Sequence, residues 1–458
     1  MKKHHLIIIT ALLFVVLFYQ QDRIGINISI IALFFIIFTW LKTAPNKRTR
    51  QFYFVGIASI LSSAAFAWFG DFISFITMIA SVFVLGLWSR ARNMKPIWVI
   101  PTAIINGLVW IVRVFNFKQW FPSKKTQNVA QKIIAFAVIP FFFLCLFFIV
   151  YTHGSDGFAH LFSNLDLDVS WIQIVALALL GFFVGFNFWN FYVPRWIYKS
   201  NSLLENNFSN EVSLKQEPTF EFLELNFERI SGVITFWTLN VMLLFFIVSF
   251  NYEQFYLISS KTPSQLSIDT HERVNAVILS IVMAILVIMF FFKSTFNFDN
   301  RAKKLKIAAQ IWIILNGFLI FSAAFKNIEY VQNLGLTYKR LGVFTFLLLC
   351  TFGLILTSIK ILKRKTNFFL LNGMVWGVFA VLLLGSCINW GALITNYNRT
   401  KSNFDPYYHS RNIHFNQKIL LEVASQNKDE VLRKEVMETI QYQKPKAIFS
   451  KVLFYENF

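Results

Sequence analysis

Apolar residues along this chain gather into runs of about 17 to 25, separated by short polar segments, and that is the length a helix needs to cross a hydrocarbon layer of roughly 30 Å. Read in this way, the sequence predicts spans at 5–19, 25–41, 52–69, 72–89, 132–151, 171–193, 230–250, 274–292, 305–325, 343–362 and 368–390. The expected fold is all-α: a polytopic transmembrane helix bundle of about eleven spans over residues 1–390, followed by a short helical periplasmic tail over 391–458. Lys2 and Lys3 ahead of the first apolar run suggest a signal peptide. Tyr19, Gln20, Gln21 and Asp22 lack the small-residue cleavage pattern, so the run reads as an uncleaved first span.

The stretch 96–117 is also long enough to cross, as a twelfth span, but the distribution of charge favours an interfacial helix. With 97–117 laid at the cytoplasmic interface, the basic clusters at Lys42 to Arg50, Arg90 to Lys95 and Lys118 to Lys132 fall on one side. Those at Arg195 and Lys199, Arg301 to Lys306 and Lys360 to Lys365 then fall on that side too, as the positive-inside rule requires. Thr102, Asn106 and Arg113 form one polar stripe of this helix, with Ile104, Leu108, Ile111 and Phe115 away from it. The N-terminus is then cytoplasmic and the C-terminus periplasmic. The connection 195–229 is a polar cytoplasmic loop with a short helix expected near 220–227. The loop 152–170 carries Asp156, Asp166 and Asp168 with no Lys or Arg, which marks it as periplasmic. In the tail, Phe415, Ile419 and Val423, then Leu432, Val436 and Ile440, recur every four residues and predict two amphipathic helices. These helices are expected to dock on the outer face with Phe415, Ile419, Leu432 and Val436 buried.

Composition agrees with a lipid environment: the 458 residues are 56% hydrophobic and 14% charged, with a mean hydropathy of +0.55. The net charge of +20 lies mostly in short loops beside apolar runs, where Lys and Arg set topology, so nucleic acid is not an expected partner. Cys145, Cys350 and Cys387 all fall inside apolar runs, without metal-ligand spacing. None of the seven His forms an HExxH pair, and no phosphate-cradling glycine loop occurs. No metal or cofactor is expected. Within the drawn spans no Asp, Glu, Lys or Arg is expected deep in the core. The intramembrane polar candidates are Asn187, Asn190, Asn240 and Asn316, with Asn372, read as interhelical hydrogen-bonding groups.

The most distinctive stretch closes the ninth span. Trp312, Asn316 and Ser322 are followed by Asn327, Glu329 and Tyr330, and then by the run Gly335, Leu336, Thr337, Tyr338, Lys339, Arg340. With Leu17 to Tyr19, Gly25 to Asn27, the His271 and Glu272 pair and Tyr397 to Arg399, this pattern resembles the bacterial membrane proteins grouped as domain of unknown function 4173. The resemblance implies a multi-pass membrane protein and carries over no substrate and no catalytic residue.

If the chain has a ligand or partner site, it is expected at this outer junction, formed by Glu329, Tyr330, Thr337, Tyr338, Lys339 and Arg340, with His271 and Glu272 opening the eighth span. Arg340 suits bidentate binding of phosphate or carboxylate, and it equally suits an ion pair with Glu329 that fastens the two helix ends. The functional expectation is a non-enzymatic inner-membrane protein, serving in transport, in a lipid or envelope process or as part of a membrane complex. Its expected partners are membrane lipids and a periplasmic or membrane protein. The alternative is a membrane-embedded enzyme acting on a lipid or lipid-linked substrate at the outer interface.

Overall fold

The computed structural model describes residues 2–120, 139–155, 169–209, 222–256, 263–444 and 447–458, together with the isolated positions 136, 158 and 218. Among the described residues it is an all-α polytopic helix bundle with no strand, and nine helices are long and apolar enough to cross a membrane. The chain divides into two compact units, residues 1–198 with 441–458 and residues 199–440.

In the first unit, α1 (Lys3–Phe18), α2 (Ile26–Lys42), α3 (Arg50–Phe69), α4 (Phe72–Arg90), α5 (Val99–Phe115), α6 (Ile139–Gly154) and α7 (Val169–Trp189) follow in order. Polar side chains set several of the starts: Thr49 accepts from the Phe52 N–H at 3.1 Å and Asp71 from the Ser74 N–H at 2.9 Å. Helices α1 and α7 lie antiparallel. Trp189 at the end of α7 donates its indole N–H to Thr10 Oγ1 of α1 at 3.0 Å, and Lys3 Nζ reaches Asn190 Oδ1 at 3.5 Å. At 16 and 17 residues, α1 and α2 are apolar but shorter than the long candidate spans. Residues 132–135, 137 and 138 of the expected span at 132–151, and most of the loop 152–170, lie outside the described residues.

Helix α5 is by length and composition a candidate span itself. Its polar stripe, Thr102, Asn106 and Arg113, is buried against the rest of the unit, whereas Ile100, Ile104, Leu108 and Ile111 are exposed. Its contacts run along one end of α7. Trp98 packs edge-on to Trp196 at 5.8 Å, Asn106 Nδ2 donates to the Tyr192 carbonyl at 2.7 Å, Arg113 donates to the Asn190 carbonyl, and Trp120 meets Phe186 at 5.7 Å. Segment 447–458 packs at the opposite end of the unit from Lys3: Ile26 N–H donates to the Lys451 carbonyl at 3.0 Å and Phe69 meets Phe454.

The second unit contains α8 (Arg195–Leu203, which begins in the first unit), α9 (Leu225–Tyr256), α10 (Pro263–Phe291), α11 (Lys303–Leu334), α12 (Tyr338–Leu362) and α13 (Asn367–Cys387). Then come four shorter helices, α14 (Trp390–Asn398), α15 (Pro406–Asn412), α16 (Gln417–Asn427) and α17 (Glu430–Gln443). The core is built from Phe236, Ile281, Phe292, Leu305, Trp312, Leu319, Leu347 and Leu354. Helix α9 runs parallel to α11, with Asn240 Nδ2 donating to the Ala308 carbonyl at 3.0 Å. The helices overrun the apolar stretches at one end: α9, α10, α11 and α12 all continue past the predicted limits there. Nothing in Asn251 to Tyr256, in 263–273 or in Lys326 to Leu334 breaks a helix, and hydropathy marks the lipid-facing run rather than the helix. Residues 225–227 are the first turn of α9, and 219–221 lie outside the described residues.

Two expectations are corrected at single residues. Lys360, grouped with the basic loop 360–365, lies instead in the last turn of α12 and is fully buried. Its Nζ donates at 2.6 Å to the Phe292 carbonyl just after the end of α10, which also accepts from Asn297 Nδ2 at 2.8 Å. In the tail, Leu432 and Val436 are buried as expected, but Phe415 and Ile419 are only half-buried, and Ile413, Leu420 and Ala424 take the inner positions. Phe415 has a left-handed backbone, φ 60°, and α16 starts two residues later. The helical phase therefore cannot be extrapolated back through Phe415.

Candidate functional site

The extended ends of α11 and α12 meet at Gly335, whose φ of 83° and ψ of 172° belong to a region that residues with a Cβ avoid. The chain turns there, and Thr337 opens α12 by accepting from the Arg340 N–H. Between Gly335 and Thr337, the Leu336 peptide is held by Asn398 from α14. The Leu336 N–H donates to Asn398 Oδ1 at 2.6 Å, and Asn398 Nδ2 donates to the Leu336 carbonyl at 2.8 Å. Asn398 Nδ2 also lies 2.9 Å from His409 Nε2, while His409 Nδ1 lies 2.9 Å from the Asp405 carbonyl. A carbonyl only accepts, so Nδ1 carries the proton and Nε2 accepts from Asn398. Asn416 Nδ2 completes the network, donating to the His409 carbonyl at 3.0 Å and to Thr395 Oγ1 at 2.9 Å.

Apolar packing fastens the same place. Val331, Leu336, Ile394 and Ile413 form one cluster with Leu341, Phe344 and Tyr397 against it. A second cluster, Leu420, Val423, Ala424, Leu432, Val436 and Ile440, holds α16 to α17. Gly391 lies so close to the His414 carbonyl that a Cβ there would come within 1.6 Å of the oxygen. At the start of α17, Asp429 accepts from the Leu432 N–H at 3.0 Å and from the Tyr407 hydroxyl at 2.9 Å. These hydrogen bonds, the backbone one first, hold the Asp429 carboxyl below its ordinary 3.8, and the same Tyr407 contact raises the phenol above 10.0.

Beside this frame lies a cleft of about 350 Å³, lined by Asn327, Tyr330, Thr337, Tyr338, Lys339 and Arg340 with Tyr408 and Asn412 of α15. Five of the eight residues singled out from sequence thus share one cavity. No carboxylate is among its lining residues that are described. Lys339 is exposed and in no ion pair among the described residues. Arg340 is engaged: its guanidinium donates to the Leu334 carbonyl at 3.0 Å and to that of Gly335, and stacks 4.4 Å from the centre of the Tyr330 ring. Glu329 is not its partner, because Glu329 pairs with Lys326 at 3.0 Å one turn away. The ion-pair expectation for Arg340 is therefore replaced by a cap on the carbonyls that end α11. His271 and Glu272 lie in α10, and their side chains are outside the described residues.

The intramembrane amides stand apart from this cleft. Asn316 Nδ2 bonds the Trp312 carbonyl of its own helix at 2.8 Å, and Asn187 likewise bonds Phe183 at 2.9 Å. Asn240 alone of the four donates across to a neighbouring transmembrane helix, as described above, while Asn190 accepts from Lys3 and Arg113. Asn398 and His409 were not among the candidate site residues. The Tyr397, Asn398, Arg399 motif carried the signal for the first, whereas nothing local marks His409.

A family model described as Domain of unknown function (DUF4153) matches residues 6–417, nearly the whole chain, and the chain belongs to that family. The family of unknown function expected from the motifs is thus met, but under DUF4153 and not under the number 4173. No curated protein and no solved structure matches the chain.

Proposed function

We propose that this member of the DUF4153 family is a multi-pass protein of a bacterial inner membrane, with its N-terminus in the cytoplasm and residues 391–458 as a periplasmic tail. On this reading it acts without catalysis of its own and holds an anionic group of an envelope lipid or partner protein in the cleft at Tyr338. The observation that carries the reading is the cleft itself. It is a 350 Å³ cavity whose walls bring Lys339, Arg340, the Tyr338 ring and Thr337 together, with no carboxylate among the described lining residues, at the helix ends where outer loops ordinarily lack cations.

The polar overrun of α9 to α12 supports a cleft beyond the apolar layer, in water or among headgroups. The disposition of α5 supports its place at the cytoplasmic interface, since Trp120 packs on Phe186 in the last turn of α7 and Trp98 on Trp196 in α8, a few residues after α7 ends. The non-catalytic reading is supported by Glu329, which is paired with Lys326 and does not line the cleft. A reporter fused after Trp390 that is active only in the periplasm is the expected topological result, and cytoplasmic activity overturns the orientation. For the cleft, mass spectrometry of molecules retained on the purified full chain is expected to find an anionic species that Lys339→Glu loses. Retention unchanged by that substitution overturns the binding role.

A further inference from the structure

A second cationic site lies in the first unit. Lys3 at the start of α1, Lys42 at the end of α2 and Arg90 at the end of α4 line a pocket of 280 Å³ with Thr39, Ser89 and Trp189. No carboxylate is among its described lining residues, and like charges held together in this way repel unless an anion joins them. Arg90 is anchored, donating to the Gly86 carbonyl at 3.0 Å and to the Phe188 carbonyl at 2.7 Å, so part of its charge offsets the end of α7. The lysines are not used in that way. Among the described residues Lys3 Nζ reaches only Asn190 Oδ1, at 3.5 Å, and Lys42 Nζ stands 6.0 Å from the centre of the Trp189 ring. Thr39, which is buried, has a hydroxyl without a hydrogen-bond partner.

An apolar cavity of 380 Å³ lies next to this pocket along the same helices, walled by Ile31 and Phe35 of α2, Met78 and Val82 of α4, and Phe183 and Phe188 of α7. Phe35 is one helical turn from Thr39, Phe188 immediately precedes Trp189, and the Arg90 guanidinium lies 5.8 Å from the centre of the Phe188 ring. Cations at the helix ends and an apolar cavity one turn further in match a molecule that is anionic at one end and hydrocarbon at the other. A soluble anion leaves the apolar cavity unexplained, and a zwitterionic lipid leaves the cations unexplained.

We propose that the first unit binds one anionic phospholipid, its phosphate between Lys3, Lys42 and Arg90 and one acyl chain in the cavity walled by Phe35 and Phe188. The ligand is held by charge and by shape, independently of the Tyr338 cleft.

The test uses the delipidated full chain in mild detergent, titrated with phosphatidylglycerol or phosphatidylcholine and read by native mass spectrometry. Phosphatidylglycerol is expected to bind about tenfold or more tightly than phosphatidylcholine. The double variant Lys3→Ala with Lys42→Ala is expected to lose that margin while keeping its helical circular dichroism. Equal binding of the two lipids, or wild-type phosphatidylglycerol binding by the double variant, overturns the proposal. Inorganic phosphate in equal concentration is expected not to displace the lipid. Displacement by it overturns the lipid assignment in favour of a free anion. Ala32→Leu, which narrows the apolar cavity and leaves the cations in place, is expected to weaken phosphatidylglycerol binding as well. Unchanged binding in that variant overturns the acyl-chain assignment.

Discussion

Asn398 holds both backbone polar groups of Leu336, accepting from its N–H at 2.6 Å and donating to its carbonyl at 2.8 Å across 62 residues of sequence. A side-chain amide here does what a neighbouring strand does in a sheet. It fixes the turn between α11 and α12 to the first helix of the tail.

Asn398→Ala is expected to leave two buried backbone groups unpaired and to cost about 2 kcal/mol or more. Limited proteolysis reads this directly, since Arg399 and Lys401 follow the clamp and become accessible when it opens. Cleavage there at the wild-type rate contradicts the clamp. Asn398→Asp keeps the acceptor but loses the donor to the Leu336 carbonyl, so it too is expected to speed cleavage.

The two glycines beside the clamp are expected to resist substitution for different reasons. Gly335→Ala forces a Cβ into φ 83° and ψ 172° and brings it within 2.8 Å of Asn398 Oδ1, at a cost of about 1–3 kcal/mol. Gly391→Ala meets the backbone oxygen of His414, which cannot rotate away, and is expected to displace α15 and α16 from the bundle. Thermal unfolding of the purified variants measures both, and unshifted transitions contradict the packing.

How far the sequence reaches is clearest around these residues. Helix positions were legible because lipid demands long apolar runs, and the Gly335 to Arg340 motif was legible because it interrupts them. The partner of Arg340 was not. Glu329 stands eleven residues away with the complementary sign, yet a guanidinium also satisfies the orphaned carbonyls at a helix end, and at Leu334 and Gly335 these lie nearer. His409 is illegible for a related reason: its value depends on Asp405 and Asn398 closing around it, and no periodicity encodes that. Lys360 reads as a loop cation of the cluster 360–365, because charge alone does not show that a side chain at a helix end turns inward to a carbonyl of a neighbouring helix.

Lys360 has a partner that does not depend on it. The Phe292 carbonyl still receives Asn297 Nδ2 at 2.8 Å when the lysine is removed, so Lys360→Met is expected to lie within about 1 kcal/mol of wild type. Lys360→Glu sets a buried carboxylate against carbonyl oxygens and is expected to cost about 3–5 kcal/mol, seen as lost monodisperse protein in detergent. Equal behaviour of the two variants contradicts a buried cation on the end of α10.

The tail has a defined pH window. The Asp429 carboxyl is held below its ordinary 3.8, so its contribution is present above that pH and is lost as pH falls through the lower folded value. Tyr407 is raised above 10.0, so its neutral form favours the fold below that pH, and the contribution is lost as pH rises through the higher folded value. Protease resistance of residues 404–440 is therefore expected to be flat between about pH 5 and 9 and to fall outside it. Asp429→Asn keeps the geometry without the charge and is expected to weaken the acid-side fall. An unchanged acid limb in that variant contradicts the assignment.

Adjacent cations at 339 and 340 are expected to separate structure from binding. Arg340 caps the Leu334 and Gly335 carbonyls and stacks on Tyr330, so Arg340→Ala loses both contacts and is expected to cost about 2–3 kcal/mol. Arg340→Lys keeps the charge but not the planar fork, and is expected to recover only part of that loss. Lys339 is exposed and forms no ion pair among the described residues, so Lys339→Ala is expected to stay within about 0.5 kcal/mol of wild type. Its effect is expected on anion binding, weakened about fivefold by the loss of roughly 1 kcal/mol of attraction. Thermal unfolding and titration with glycerol phosphate, both on the full chain, read the two effects separately. Wild-type stability in Arg340→Ala contradicts the cap, and wild-type binding in Lys339→Ala contradicts an anion site in the cleft.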